Sequence, residues 1–262
     1  MKPNDFQPES LIAYANMSRQ LAQEQIAGNL HISPQAVFCA SEVLTKDSRK
    51  LIHKDWGVQP FNVHATTETA GIASEYTQHT GLHMYEDLVI TEVVDEQSKP
   101  VKPGEYGAKL LVTVLFSRTL PLIRYEIDDS VRLSSYGCAC GRPFALLDDI
   151  QGRMEEAIHL TNQPDGVITI QPNFFHNIME LFPVGGWQII QESNNTLRVL
   201  IVDPSPDFNE VNLRRTISTE LEKQWVNRPS VKVEYVASLD RTDLGKTFLI
   251  KSSIGNRNRT AI

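Results

Sequence analysis

Apolar runs that alternate with an amphipathic segment constrain the first part of this chain more than any other feature. Residues 36–40 form a short apolar run after Pro34, which predicts a buried strand, and residues 60–64 are predicted to form a further strand. Between them, residues 45–56 have the periodicity of a helix opened by a Thr or Asp cap. Strand, helix and strand in this order predict a parallel α/β unit, whose ligands bind at the carboxyl ends of the strands.

The pattern changes twice further along the chain. Residues 8–26 predict an amphipathic helix, and residues 88–133 predict mostly strands with turn chemistry between them. After residue 153 an α+β pattern begins, with helices predicted at 174–181 and 209–224. The predicted strands of these regions are 88–94, 108–116, 122–133, 187–192, 196–202 and 230–235, with a hairpin around 163–166. We therefore predict a mixed α/β and α+β chain.

Two domains are expected from this change of pattern. Residues 1–152 combine the parallel α/β unit with a β-rich subdomain, and residues 153–262 form a smaller α+β domain. A length of 262 residues, with 41% hydrophobic and 22% charged residues, fits one or two globular domains.

Charge and hydropathy exclude several classes of partner. The net charge of −7 gives no basic field for nucleic acid or for an anionic membrane. No window approaches the ~18 uninterrupted apolar residues of a membrane-spanning helix, and the N-terminus has no signal-peptide pattern. We expect a cytoplasmic protein that contacts neither nucleic acid nor membrane.

Cys138 and Cys140 form the local motif with the clearest chemistry of its own. The chain has three cysteines, too few and too unevenly spaced for a disulfide framework. Two thiolates one residue apart on a glycine-containing turn can face one zinc ion, which then needs two more ligands. The alternative is a pair of reduced turn thiols without metal.

Four motifs in a fixed order carry a family resemblance. They are the Gly-Leu-His-x-x-Glu-Asp segment at 81–87, the segment 120–133, Gly152-Arg153, and Gly245-Lys246. In this order they resemble the second half of a phenylacetate-CoA ligase-like, adenylate-forming enzyme. The Ser/Thr/Gly-rich phosphate loop of that family has no counterpart in the chain.

The resemblance implies a nucleotide site at the ends of the strands. Residues 64–68 fall where the family has an aromatic-Gly-x-Thr-Glu motif, so Thr67 would contact the α-phosphate and Glu68 would help to hold Mg²⁺. His64 takes the aromatic position, which stacks on adenine in the family. Asp129 would accept hydrogen bonds from both ribose hydroxyls, and Arg153 would also bind the ribose. A solvated strand-end turn is the alternative for residues 64–68.

Further roles follow from the same resemblance. Ser41 and Glu42 lie in the counterpart of the adenine-side loop, and Glu155 is the hinge about which the C-terminal domain would swing. Lys246 corresponds to the adenylation lysine, whose ammonium group can stabilise charge between the attacking carboxylate and the α-phosphate. A domain-entry turn and a solvated turn lysine are the alternatives for these two sites.

The resemblance also suggests metal ligands beyond the two cysteines. Some family members complete a zinc site with a Cys and a His near the Gly-Leu-His segment. His83 is the retained histidine, whereas Tyr76 holds the cysteine position. His79 or Glu75 would then be the fourth ligand.

The implied activity is attack of a carboxylic acid, an aryl acid by family preference, on ATP to give acyl-AMP and pyrophosphate. Transfer to CoA could follow, although residues 168–174 differ from the family's segment for that step. The missing phosphate loop predicts a truncated or split member, a partner chain that supplies the loop, and a homodimer through exposed sheet edges. The alternatives are a non-catalytic nucleotide- or partner-binding subunit and a purely structural zinc-stabilised module.

Overall fold

The computed structural model describes residues 3–153, 156–162, 166–239 and 249–254. The chain divides into two compact units, Met1–Met154 and Glu155–Ile262. Helices and sheets occur in both units, so the fold is mixed α/β, as the sequence predicted. In the described ranges, no helix is long and apolar enough to cross a bilayer.

The first unit is built on a seven-stranded sheet with the strand order β1-β2-β3-β4-β5-β10-β9. Strands β1, β2 and β3 run parallel, and the remaining neighbours in this sheet pair antiparallel. Its strands are β1 (Ser10–Tyr14), β2 (Ala36–Ala40), β3 (Phe61–Thr66), β4 (Ala70–Glu75), β5 (Leu82–Met84), β9 (Asp129–Leu133) and β10 (Leu146–Arg153). The helices of the unit are α1 (Pro3–Phe6), α2 (Ala15–Ile26) and α3 (Lys46–Trp56).

Helix α3 has the local chemistry that the sequence predicted. The Thr45 hydroxyl accepts a hydrogen bond from the Ser48 backbone N–H at 3.4 Å and so caps the first turn. Gly57 ends the helix in the left-handed region, with φ 72°. Helices α2 and α3 pack against each other and bury Ile52 and Ala22.

The single helix predicted over residues 8–26 is wrong in its first part. Ser10–Tyr14 is strand β1, paired with β2 in parallel register, and α2 begins directly at Ala15. A short apolar run is compatible with the period of a helix and with that of a strand. Here pairing with the buried β2 favours the strand. The sequence also missed β4, so residues 61–75 form a hairpin rather than a strand followed by a loop.

A second, three-stranded antiparallel sheet lies in the same unit. It consists of β6 (Val89–Val94), β7 (Lys109–Val114) and β8 (Tyr125–Ile127), in the regions where the sequence predicted strands. Its apolar residues Val93, Leu110 and Val112 join Ile72 and Leu147 of the larger sheet in one core. Val131 belongs to the same core, so this core anchors strand β9, at whose start the candidate site lies.

The second unit has its own core. It combines the hairpin β11 (Ile158–Asn162) and β12 (Gly166–Ile170) with a four-stranded sheet of order β15-β14-β13-β16. The other elements are α4 (Pro172–Met179), β13 (Val184–Ser193), β14 (Thr196–Pro204), α5 (Glu210–Lys223), β15 (Ser230–Tyr235) and β16 (Ile250–Ser252). Phe175 of α4 and Leu213 of α5 are fully buried against the sheet. The chain thus has a separate hydrophobic core on each side of residue 154.

Candidate functional site

The site that gathers three of the predicted nucleotide-binding residues lies around the Asp129 carboxylate at the start of β9. Asp129 is buried, with 9% of its surface exposed. His64 Nε2 lies 3.5 Å from Oδ2 of Asp129, and Arg153 Nε lies 3.9 Å from Oδ1. Both contacts are longer than a normal hydrogen bond. The structure therefore brings three predicted nucleotide-binding residues together around one buried carboxylate.

Curvature of the sheet makes this meeting possible. Three strands separate β3 from β9 in the sheet order. In a flat sheet, four steps of about 4.8 Å would place these strands roughly 19 Å apart. Because His64 Nε2 and Asp129 Oδ2 are 3.5 Å apart, the sheet must curl strongly between β3 and β9.

The His64 side chain points into this buried position and has only 11% of its surface exposed. Burial lowers the pKa of His64 below its ordinary value, although the Asp129 carboxylate raises it, and the Arg153 guanidinium lowers it further. The neutral imidazole is therefore the favoured form. A ring placed this way offers little face to a nucleotide base.

The turn between β3 and β4 presents the two predicted phosphate-side residues to solvent. The Thr66 and Thr69 hydroxyls lie 2.9 Å apart, and the Thr69 backbone N–H donates to Thr66 Oγ1 at 3.2 Å. These bonds close the turn, while Thr67 and Glu68 remain exposed at its tip. Both side chains are accessible to a ligand and to Mg²⁺, for which a carboxylate oxygen is a suitable donor.

The predicted adenine-side residues lie in the turn after β2. Ser41 is exposed and has a left-handed φ of 64°. Glu42 Oε2 accepts a hydrogen bond from the Asn16 backbone N–H at 2.9 Å, in the first turn of α2. Tyr14, the residue before α2, makes no side-chain cap, so the Glu42 carboxylate satisfies a free N–H group of that helix. Glu42 thus has a structural role that sequence reasoning missed.

A second cluster contains His83, Cys138 and Cys140. Their ligand atoms all lie within 4.8 Å of one another, and Cys140 Sγ is 3.3 Å from His83 Nε2. A tetrahedral zinc ion would require ligand separations of about 3.6–3.8 Å, given its usual bond lengths. The two sulfurs and one imidazole are therefore close to the spacing and the chemistry that zinc favours.

One thiol of this cluster, that of Cys138, is polarised toward thiolate. The Cys140 backbone N–H, followed by the Thr80 hydroxyl, lowers the pKa of the Cys138 thiol to about 6. The Thr80 hydroxyl lies 3.6 Å from Cys138 Sγ. Sequence reasoning missed Thr80, although its position directly before the Gly-Leu-His segment was a usable signal.

The structure does not bring the suggested fourth ligands to this cluster. His79 Nδ1 lies 3.1 Å from Glu75 Oε2, and the His79 ring stacks on Phe61 with centroids 4.8 Å apart. Glu75 is in turn paired with Arg49. Among the described residues, the group of close His, Cys and acidic ligands is limited to His83, Cys138 and Cys140.

Tyr76, which stands at the family's cysteine position, contacts Arg142, two residues after Cys140. The Arg142 guanidinium lies 3.9 Å from the Tyr76 ring centroid, a cation–π contact. Lys246 and Glu155, the predicted adenylation lysine and hinge, lie outside the described residues.

Comparisons with known proteins bear on this arrangement. A family model described as the CapK C-terminal domain matches residues 162–253. A phenylacetate-coenzyme A ligase from Thermus thermophilus is 26% identical over 219 residues, which cover 79% of this chain and 48% of that protein. Protein CapK from Staphylococcus aureus is 25% identical and aligned over 94% of this chain and 53% of its own length.

The solved structures show the same fold. A 2-hydroxyisobutyryl-CoA ligase, captured with R3-HIB-AMP in the postadenylation state, has a TM-score of 0.75 and 20% identity. The similarity covers 95% of this chain and 55% of that structure. The chain spans about half the length of these two curated relatives.

Proposed function

We propose that this chain, which is related to the phenylacetate-CoA ligase-like family of adenylate-forming enzymes, binds an adenine nucleotide for the AMP-forming activation of a carboxylic acid. In this reaction a carboxylate oxygen attacks the α-phosphorus of ATP. The acyl–phosphate bond of acyl-AMP forms as the bond to pyrophosphate breaks. The substrate class is a small carboxylic acid, with an aryl acid favoured by the relatives.

The observation that carries the proposal is the buried carboxylate of Asp129, which lies between His64 and Arg153. A buried carboxylate is costly unless its oxygens accept hydrogen bonds. Among the described residues, the ion-pair partners of Asp129 lie at 3.5 Å and 3.9 Å, which is farther than a hydrogen bond. Two ribose hydroxyls are donors that an acceptor-only carboxylate can take at once. Asp129 is therefore suited to hold the ribose, with Arg153 beside it.

The remaining roles are assigned around that ribose. Thr67 and Glu68, exposed at the β3–β4 turn, are proposed to contact the α-phosphate and to hold Mg²⁺, which would neutralise phosphate charge. Ser41 is proposed to line the adenine side. Lys246 is the proposed adenylation residue and Glu155 the proposed hinge of a mobile C-terminal domain. CoA is the proposed acceptor in a second step.

Zinc is proposed as a structural ion at His83, Cys138 and Cys140. The spacing of the three ligand atoms and the low pKa of the Cys138 thiol support this assignment. The ion would tie the turn after β9 to strand β5. No chemical step of the reaction is assigned to it.

The test is ATP-dependent release of pyrophosphate by the purified chain over a panel of aryl and acyl acids. We expect turnover with at least one acid, and its loss in Lys246→Ala. Lys251→Ala, a lysine on β16, serves as the matched control and should keep the activity. No turnover with any acid would contradict a self-sufficient ligase.

The second candidate is a non-catalytic nucleotide-binding subunit that requires another polypeptide to supply the phosphate loop. The edge strand β1 favours it: among the described residues β1 pairs only with β2, and Ile12 and Tyr14 are 74% and 58% exposed. An unprotected apolar edge of this kind is a pairing surface. AMP binding without pyrophosphate release would support this candidate.

A homodimer through the same edge is the other proposed assembly. Light scattering of the purified chain tests it directly. A mass of one chain at all concentrations would contradict the dimer.

A further inference from the structure

His64 occupies a position that its predicted stacking role does not explain. Its side chain is 11% exposed, and Nε2 points toward Asp129 Oδ2 at 3.5 Å. Within the described part of the chain, Nε2 is a buried nitrogen that makes no normal hydrogen bond. A stacking ring would need an open face, whereas this ring is enclosed beside a carboxylate.

The backbone of β3 directs the His64 side chain toward Asp129. His64 pairs with Ala73 of β4, and the register shifts between His64 and Ala65. A β-bulge redirects the side chains beside it and is common next to functional sites. The irregularity thus falls at the residue whose ring faces the carboxylate.

Charge around the ring favours a neutral donor. Burial lowers the pKa of His64, and the positive Arg153 opposes a second proton, although Asp129 attracts one. A neutral imidazole with its proton on Nε2 is a single donor directed at Oδ2. Arg153 approaches the other oxygen, Oδ1, at 3.9 Å. His64 and Arg153 therefore flank the carboxylate, one beside each oxygen, at distances that a small movement on ligand binding would shorten to hydrogen bonds.

We propose that His64 is a positioning residue that fixes the Asp129 carboxylate for the ribose hydroxyls, rather than a stacking platform for adenine. This inference rests on the proposed nucleotide site. It assigns His64 to recognition of the sugar, so its loss should weaken binding only of ligands that carry ribose hydroxyls. The donor at the Nε2 position, and not the aromatic ring, carries the effect.

The experiment measures AMP and 2′,3′-dideoxy-AMP binding by isothermal titration calorimetry to the whole chain and to three variants. His64→Gln places an amide donor near the Nε2 position, His64→Asn places it near Nδ1, and His64→Phe keeps a ring without a donor. We expect wild type and His64→Gln to prefer AMP over the dideoxy analogue. His64→Asn and His64→Phe should bind AMP about tenfold more weakly, with unchanged affinity for the analogue.

The outcomes separate this inference from the proposed function. AMP binding by His64→Phe that equals or exceeds wild type would overturn the positioning role in favour of stacking. Equal AMP affinity of His64→Gln and His64→Asn would also overturn it, and this comparison does not require the Phe variant to fold. A folded wild-type chain that binds no AMP would overturn the proposed function, and the role of His64 with it.

Discussion

Two buried carboxylates in the first unit lie beside guanidinium groups, yet their surroundings differ. Glu75 pairs with Arg49 through both oxygens and also accepts the Asn62 backbone N–H at 2.9 Å. In the described part of the chain, Asp129 has longer contacts, to His64 at 3.5 Å and to Arg153 at 3.9 Å. A saturated carboxylate stabilises the fold, whereas an unsaturated one is available to a ligand. At the scale of single residues, this contrast is why we assign a structural role to Glu75 and propose a ligand-binding role for Asp129.

Glu75→Gln should destabilise the chain strongly. The substitution keeps the volume but leaves the Arg49 guanidinium without its counter-charge, which costs about 3 kcal/mol for a buried pair. Chemical denaturation measures the change in the free energy of unfolding. Lys50→Gln, which breaks the exposed pair with Asp47 on the same helix, is the control and should cost under about 0.5 kcal/mol. Equal effects of the two substitutions would contradict this account.

His176 should make the chain less stable in acid. Burial lowers its pKa to about 4 from the model-peptide value of 6.5, and its ring packs on Trp187 with centroids 5.1 Å apart. The unfolded chain binds this proton first, so stability is full above pH 6.5 and falls toward pH 4. The loss should reach up to about 3 kcal/mol. The free energy of unfolding of His176→Gln should depend less on pH over this range than that of wild type. Identical pH profiles of the two chains would contradict the role of His176 in acid sensitivity.

At the scale of elements, the sequence predicted α3, β2 and β15 because periodicity, caps and turns agreed there. It missed β1, because a five-residue apolar run fits a helix or a strand and only its neighbour β2 decides. The family resemblance assigned His64 and Asp129 to one nucleotide site, but it did not predict the contact between them. Physical reasoning from spacing could not predict it, because it depends on the curl of the sheet.

Gly71 of β4 should be required for the packing of the hairpin. A Cβ atom at Gly71 would lie 2.6 Å from Tyr85 Cε2, so the Tyr85 ring would have to move. Gly71→Ala should therefore cost about 1–3 kcal/mol through overpacking. Thermal unfolding measures the loss. At Gly137 nothing lies within 4 Å of an added Cβ atom, so Gly137→Ala is the matched control. A Gly71→Ala chain as stable as that control would refute the packing argument.

Zinc removal should loosen the turn after β9. We expect about one zinc ion per chain by inductively coupled plasma mass spectrometry, and a lower melting temperature after chelation. Cys138→Ser with Cys140→Ser should abolish the bound zinc. His79→Ala should retain it, because His79 contacts Glu75 and Phe61 instead. Zinc-free wild-type protein that binds no added zinc would establish the thiols as reduced turn residues.

At the scale of the whole molecule, the chain has two units with separate cores and about half the length of its curated relatives. The sequence predicted the mixed fold. That the first unit binds the nucleotide and that the C-terminal unit moves relative to it stays a prediction. Its foundation is nucleotide binding at Asp129, on which the adenylation proposal and the role of His64 both depend.

The most direct measurement is AMP binding to the wild type, Asp129→Asn and Asp128→Asn by isothermal titration calorimetry. Asp128 is the neighbouring carboxylate and has no assigned role toward the ligand. We expect Asp129→Asn to weaken AMP binding at least about tenfold, because hydrogen bonds to a charged acceptor are lost. Asp128→Asn should bind AMP as well as wild type or better. AMP binding that Asp129→Asn leaves unchanged would contradict the central claim.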